Sequence, residues 1–212
     1  MYLNYTQPEQ IKDVFKAVDD EDVENIRFYI TDGADPDMRD SHGHTLLQHA
    51  MIKKKWHAAE TLLDMGADPD LTVAITGQSA LHYAASDDSV HMIGVLAAHK
   101  AKLDLADNFK WTPLHMATGR GKLEAVKALV ELGADMSLRD EQNERTLDLA
   151  TLRAAHTVET IRKPYPPIVD YLRAEIEERG IAFMSKEQRQ AELASDIAAL
   201  KNHDPNRFKL KM

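Results

Sequence analysis

The chain of 212 residues has no cysteine. That excludes disulfides, thiol nucleophiles and thiolate metal sites together, and it is compatible with any redox compartment. Positive charge is also scarce, with 26 Lys and Arg against 35 Asp and Glu and a formal charge of −9. Sequence-independent nucleic-acid binding and docking on anionic lipid both draw on Lys and Arg, so neither is expected. No stretch approaches the ~20 apolar residues of a spanning helix. Residues 1–15 lack the basic start and apolar run of a secretory leader. Also missing are G-x-S-x-G, H-E-x-x-H and a glycine-rich phosphate loop. These absences predict a soluble, cytoplasmic protein with no catalytic residues and no cofactor. What is present, 43% apolar and 29% charged residues, is enough for a packed core.

The positive signal is a repeat. Ala17, Ala50, Ala84, Ala117 and Ala150 are separated by 33, 34, 33 and 33 residues. A second marker, Gly33, Gly66, Lys100 and Gly133, is separated by 33, 34 and 33. Two markers in register through four copies define a repeat architecture. The cleanest copy runs from Thr112-Pro113-Leu114-His115-Met116-Ala117 through Leu129-Val130 to Gly133-Ala134-Asp135. It reads as an inner helix, a short turn, an outer helix with an apolar pair, and a glycine stop.

The units fall at about 8–40, 41–74, 75–107, 108–141 and 142–180. In the first, Ile11, Val14, Phe15 and Val18 share one helix face, and Val23, Ile26, Tyr29 and Ile30 line a second helix. Asp19 to Asp22 place carboxylates at the start of that second helix. The charged Lys12, Asp13 and Lys16 suggest a capping unit. The second unit opens Thr45-Leu46-Leu47-Gln48 and the third Ser79-Ala80-Leu81-His82, with Asp87-Asp88 read as a solvated turn. Lys100 stands where glycine normally takes positive φ. In the fifth unit the outer helix is delayed to Ile168-Val169-Asp170-Tyr171-Leu172, after Lys163-Pro164-Tyr165-Pro166-Pro167, whose prolines predict an extended entry. Residues 181–212 leave the repeat: a helix opened by Ser185 and Gln188, then a basic end. That end either lies on the acidic repeats through charge and apolar contacts or is a frayed terminus; a third reading makes the helix and basic end the partner-binding element.

The T-P-L-H opening, the apolar pair and the closing G-A-D resemble the ankyrin repeat over residues 8–180. The resemblance implies an all-α ankyrin-repeat solenoid of five helix-turn-helix units joined by hairpin-like loops, followed by the helical extension at 181–212. It implies that His82 and His115 tie inner helices to neighbouring hairpins. The family's hairpins often carry an asparagine that can be hydroxylated; Asp37, Asp70, Asp104 and Ser137 stand there instead, so that modification is not expected. The resemblance further implies a non-catalytic protein-binding module, a monomer acting on another protein through its concave face as a stand-alone inhibitor or adaptor.

The residue before each inner-helix cap faces that surface: His44, Gln78, Trp111 and Glu144. Trp111 and Phe109 are the expected anchors, tryptophan being enriched at interface hot spots. The other reading packs Trp111 against the adjacent finger at Val73, Ala74 and Ile75. Arg39, Asp40, Asp107, Lys110, Arg139, Asp140 and Glu141 are expected as a charged rim, and Trp56 as inter-repeat packing. The rival reading is a small-molecule or metal binder, or an enzyme, using His42, His44 and His49 or a pocket near residues 153–167. His42 and His44 have the i, i+2 spacing of a zinc pair, but no further ligand of known geometry is visible beside the three histidines, so no metal site is expected.

Overall fold

The computed structural model describes residues 8–155 and 164–181. The predicted helix from Ser185, the basic end, and most of the 153–167 insertion lie outside them. The chain divides into two compact units, residues 1–173 and 174–212.

The described residues form ten helices: α1 (Pro8–Asp19), α2 (Val23–Thr31), α3 (Leu46–Lys53), α4 (Trp56–Asp64), α5 (Ala80–Ser86), α6 (Val90–Ala98), α7 (Pro113–Gly119), α8 (Leu123–Glu131), α9 (Thr146–Ala154) and α10 (Tyr165–Glu178). Odd-numbered helices α1 to α9 stack in one row and α2 to α8 in a second, each pair packing on the next. This is the expected all-α solenoid of helix-turn-helix units. Among the described residues the one β-bridge is Arg39 to Thr45, and no helix is long and apolar enough to cross a membrane.

The alanine marker has a direct cause. Ala50, Ala84, Ala117 and Ala150 are wholly buried, and Leu47, Leu81 and Leu114 of the inner helices and Leu62, Leu96 and Leu129 of the outer ones are buried with them. A larger side chain would force the rows apart.

Inner helices α3 and α7 begin with reciprocal caps. In α3 the Thr45 hydroxyl accepts from Gln48 N (3.2 Å) while Gln48 Oε1 accepts from Thr45 N (2.9 Å). In α7 Thr112 and His115 repeat the exchange, with Pro113 at the first helical position. In α9 the pair is charged: Asp148 accepts from Arg145 N (3.2 Å) and from Arg145 Nε (3.0 Å).

Each repeat needs left-handed backbone at fixed places. After the outer helix these are Gly33, Gly66, Lys100 and Gly133, with φ of 110°, 93°, 64° and 99°. Lys100 adopts the glycine conformation, as its position predicts. Nothing crowds a Cβ at the three glycines, so the cost at Lys100 is backbone strain alone. Lys100→Gly is expected to raise stability by about 1 kcal/mol, read as a higher Tm and urea midpoint at unchanged m-value.

Two expectations are corrected. Pro166 and Pro167 do not form an extended entry; they sit in the first turn of α10, where the missing N–H groups have no helical partner to lose. Asp88 is not merely solvated: its Oδ1 accepts the Ala125 N–H of the next outer helix at 2.8 Å. Ile168, Val169 and Leu172 of α10 are buried as predicted, and Tyr165 Oη donates to Gly119 O at 2.7 Å.

Candidate functional site

The loops between repeats are built by a side chain as much as by the backbone. In the loop 107–111 Asp107 N donates to Trp111 O (2.8 Å), and Asp107 Oδ1 accepts from Phe109 N (2.8 Å) and Trp111 N (2.9 Å). Asp40 does the same for His42 and His44, and Asp140 for Glu144. Lys110 and Asn143 turn the loops at φ 58° and 63°. The loop 73–78 has no aspartate and one more residue, closing Val73 N to Gln78 O at 3.1 Å. That added residue accounts for the single 34-residue interval in both markers.

Successive tips are tied together. Asn108 N donates to Thr76 O (3.0 Å) and Asn108 Nδ2 to Ile75 O (3.0 Å), while Glu141 N donates to Phe109 O (3.1 Å). At their bases a second ladder runs along the stack: Asp37, Asp70 and Asp104 each accept the backbone N–H of Asp68, Lys102 and Asp135 at 2.8–2.9 Å. Burial raises the Asp37 and Asp104 carboxyls above the ordinary carboxylate range, against the lowering pull of those hydrogen bonds. A raised folded pKa means that ionisation costs stability as pH rises through it. Asp104→Asn keeps the acceptor and removes the charge. Because the group is largely exposed, the expected gain at pH 7 is only about 0.5 kcal/mol, fading below pH ~4; urea melts at pH 7 and pH 3.5 check it.

Behind the loops His82 and His115 are buried and fully used. His82 Nδ1 accepts from Ser79 N (3.1 Å), and Nε2 lies 2.9 Å from Trp111 O. His115 Nδ1 is 2.9 Å from the Thr112 hydroxyl, with Nε2 3.3 Å from Glu144 O. Since Nδ1 accepts, the neutral Nε2–H tautomer is the one that completes each bridge. Burial holds both imidazoles below their ordinary pKa.

Four of the expected partner-binding residues converge. Gln78, Asp107, Phe109 and Trp111 line a concavity of about 430 Å³ together with Met116, Arg120 and Arg153. Phe109 is 58% exposed, and Ile75 on the neighbouring tip 83%. Trp111 is half-buried; its indole edge lies so close to Gly119 that a Cβ there would be 2.7 Å from two ring carbons. The indole thus lies against the end of α7.

The other expected residues sit elsewhere, and Asp107, though it lines the concavity, is no rim charge. Asp107 and Asp140 are buried turn-formers, not rim charges, because their carboxylates are consumed by backbone N–H groups. Arg39 donates to Gly43 O (2.6 Å) and Thr72 O (3.2 Å), and Arg139 to Asn143 O (3.0 Å), so both brace loops. Lys110 and Glu141 are exposed and Glu144 half-buried; neither these nor His44 line the concavity. Trp56 opens α4, half-buried.

The sequence reading missed Arg120 and Arg153. They are 33 residues apart and share one register position, so the same ruler could have found them. Arg120 Nε makes only a sulfur contact, to Met116 at 3.4 Å. Neither arginine pairs with a carboxylate among the described residues.

The stacked helix pairs and the hydrogen-bonded fingers define a helical-repeat scaffold. Comparison gives the family. The family described as "Ankyrin repeats (3 copies)" matches residues 14–107 and 55–140, and the chain belongs to the ankyrin-repeat family. Relatives include the B-cell lymphoma 3 protein homolog of Mus musculus, 34% identical over 119 residues, covering 56% of this chain and 27% of that protein. The transient receptor potential channel pyrexia of Drosophila melanogaster is 35% identical over 130 residues, 61% of this chain and 14% of its own length. Protein PhlB of Serratia liquefaciens is 35% identical over 107 residues, 50% of this chain and 47% of its own. The chain spans less than half the length of each. Ankyrin repeats generally mediate protein–protein interaction without catalysis.

Proposed function

We propose that this protein binds a partner protein non-catalytically, as a cytoplasmic monomer serving as an inhibitor or adaptor, through the concavity at Phe109, Trp111, Arg120 and Arg153. The observation that carries this reading is the combination of a 58% exposed Phe109 with two arginines that have no carboxylate partner among the described residues, in a chain of net charge −9. An exposed apolar ring beside guanidinium groups that no carboxylate pairs among the described residues fits a partner segment in which an apolar side chain neighbours a carboxylate. The tip-to-tip hydrogen bonds hold the loops before association, which limits the entropy lost on binding.

Affinity capture from the source organism's lysate with wild type, Phe109→Ala and Arg120→Glu/Arg153→Glu tests it. A single retained protein should be lost with both variants, and circular dichroism should show all three folded. Retention by both variants rejects the concavity, and deletion of 185–212 then tests the C-terminal element as the binding segment.

A further inference from the structure

Three histidines converge on one aspartate in the second repeat, well away from Phe109. Asp40 Oδ1 is occupied by the N–H groups of His42 and His44 at 2.8 and 2.9 Å. Its Oδ2 is turned toward imidazoles: His44 Nδ1 at 3.3 Å, His49 Nδ1 at 3.7 Å and His42 Nδ1 at 3.8 Å. One ligand atom each from Asp40, His42 and His44 lies within 4.8 Å of the other two. Positive φ at Gly43, 82°, folds the finger so that the His42 and His44 rings stand 6.1 Å apart and tilted by only 32°.

His49 adds the second half of the observation. Its Nε2 lies 2.9 Å from Asp19 Oδ1 on α1. A carboxylate can only accept, so Nε2 carries a proton, and Nδ1 is the ring atom that faces Asp40 Oδ2. Nδ1 stands 3.7 Å from that carboxylate oxygen, and with Nε2 engaged by Asp19 it is the nitrogen left for a metal ion beside Asp40.

We propose that Asp40, His42 and His44 form a binding site for a divalent transition-metal ion of the zinc type, with His49 as fourth ligand and Asp19 orienting it. Zinc takes imidazole nitrogen and carboxylate oxygen in tetrahedral sites. A ligating histidine commonly gives its other N–H to a carboxylate, as His49 does to Asp19. The side chains of Asp40 and His49 are each 17% exposed and that of His44 25%, whereas His42 at 77% is the arm free to swing inward. A bound ion would cross-link the finger to α3 and, through Asp19, to α1, joining the first two repeats. The two zinc-spaced histidines are visible in the sequence; the third ligand is Asp40, which reads there as a rim charge.

The test uses the full chain stripped of metal by chelator and titrated with zinc chloride by calorimetry, with cobalt(II) as a spectroscopic probe. The expected result is one zinc per chain at a Kd of about 10 µM or tighter, and cobalt absorption of tetrahedral intensity. His42→Ala, His44→Ala and His49→Ala should each weaken binding at least about tenfold, roughly 1.4 kcal/mol. His91→Ala, at an exposed histidine paired with Glu60, should leave it unchanged. His42 is exposed, so its replacement leaves the core untouched. A Kd near millimolar, binding that survives His42→Ala and His44→Ala, or an equal loss with His91→Ala overturns the proposal.

Discussion

His115→Ala is expected to destabilise the protein by about 3 kcal/mol, the largest single-residue effect on folding foreseen here. The imidazole is fully buried and bridges two repeats, from the Thr112 cap to the Glu144 carbonyl. Truncation leaves a cavity and removes both the acceptor at the helix start and the donor to the next loop. His115→Gln should cost about 1 kcal/mol at most, because the molecule already contains that solution. Gln48 accepts from Thr45 N and donates through Nε2 to Leu71 O at 2.6 Å. The pH dependence separates this role from simple packing. Folded pKa values below the ordinary 6.5 mean that stability is full above pH 6.5 and falls as pH drops toward the folded values, where the unfolded chain binds more protons. Wild type should therefore lose more stability between pH 7 and 5 than His82→Gln/His115→Gln. Equal slopes would show that the imidazoles are not buried as neutral bridges.

Gly121→Ala is expected to cost about 2–3 kcal/mol, and to release the fifth repeat selectively. Positive φ is not the main reason. Glu21, Lys54 and Asp88 occupy the same register position in earlier repeats with φ of 53° to 60°. What distinguishes Gly121 is its neighbour: a Cβ there would lie 2.7 Å from Pro164 Cγ and 2.8 Å from its Cβ. Pro164 leads into α10, and Tyr165 anchors that helix start to Gly119 O. Pushing Pro164 away breaks that anchor. Amide exchange should accelerate over 165–173 while α3 to α6 stay protected. Unchanged exchange at 165–173 would contradict the packing of the fifth outer helix.

The repeat was legible because its markers are packing constraints. Alanine recurs at fully buried positions of the inner helices, and glycine where the backbone must turn left-handed, so even Lys100 betrayed its φ by position. The binding face was only half legible. Phe109, Trp111 and Gln78 could be placed by register; Arg120 and Arg153 share a register too, but they end inner helices, and nothing local marks that position as lining the concavity. Asp107 misled for a physical reason: a loop aspartate reads as a solvated charge, yet its carboxylate is the acceptor on which the finger is built. The delayed helix was visible in Ile168, Val169 and Leu172. Its start was not, because Pro166 and Pro167 suit the first turn of a helix as well as an extended entry.

The protein-binding role is tested most directly by photo-crosslinking. A benzophenone amino acid would replace Phe109 in one variant and Phe28, 57% exposed on the outer helix α2, in another. Crosslinking from position 109 to one defined protein, suppressed by Arg120→Glu/Arg153→Glu and absent from position 28, is the predicted result. Equal crosslinking from both positions, or capture from position 28 alone, would contradict binding through the concavity.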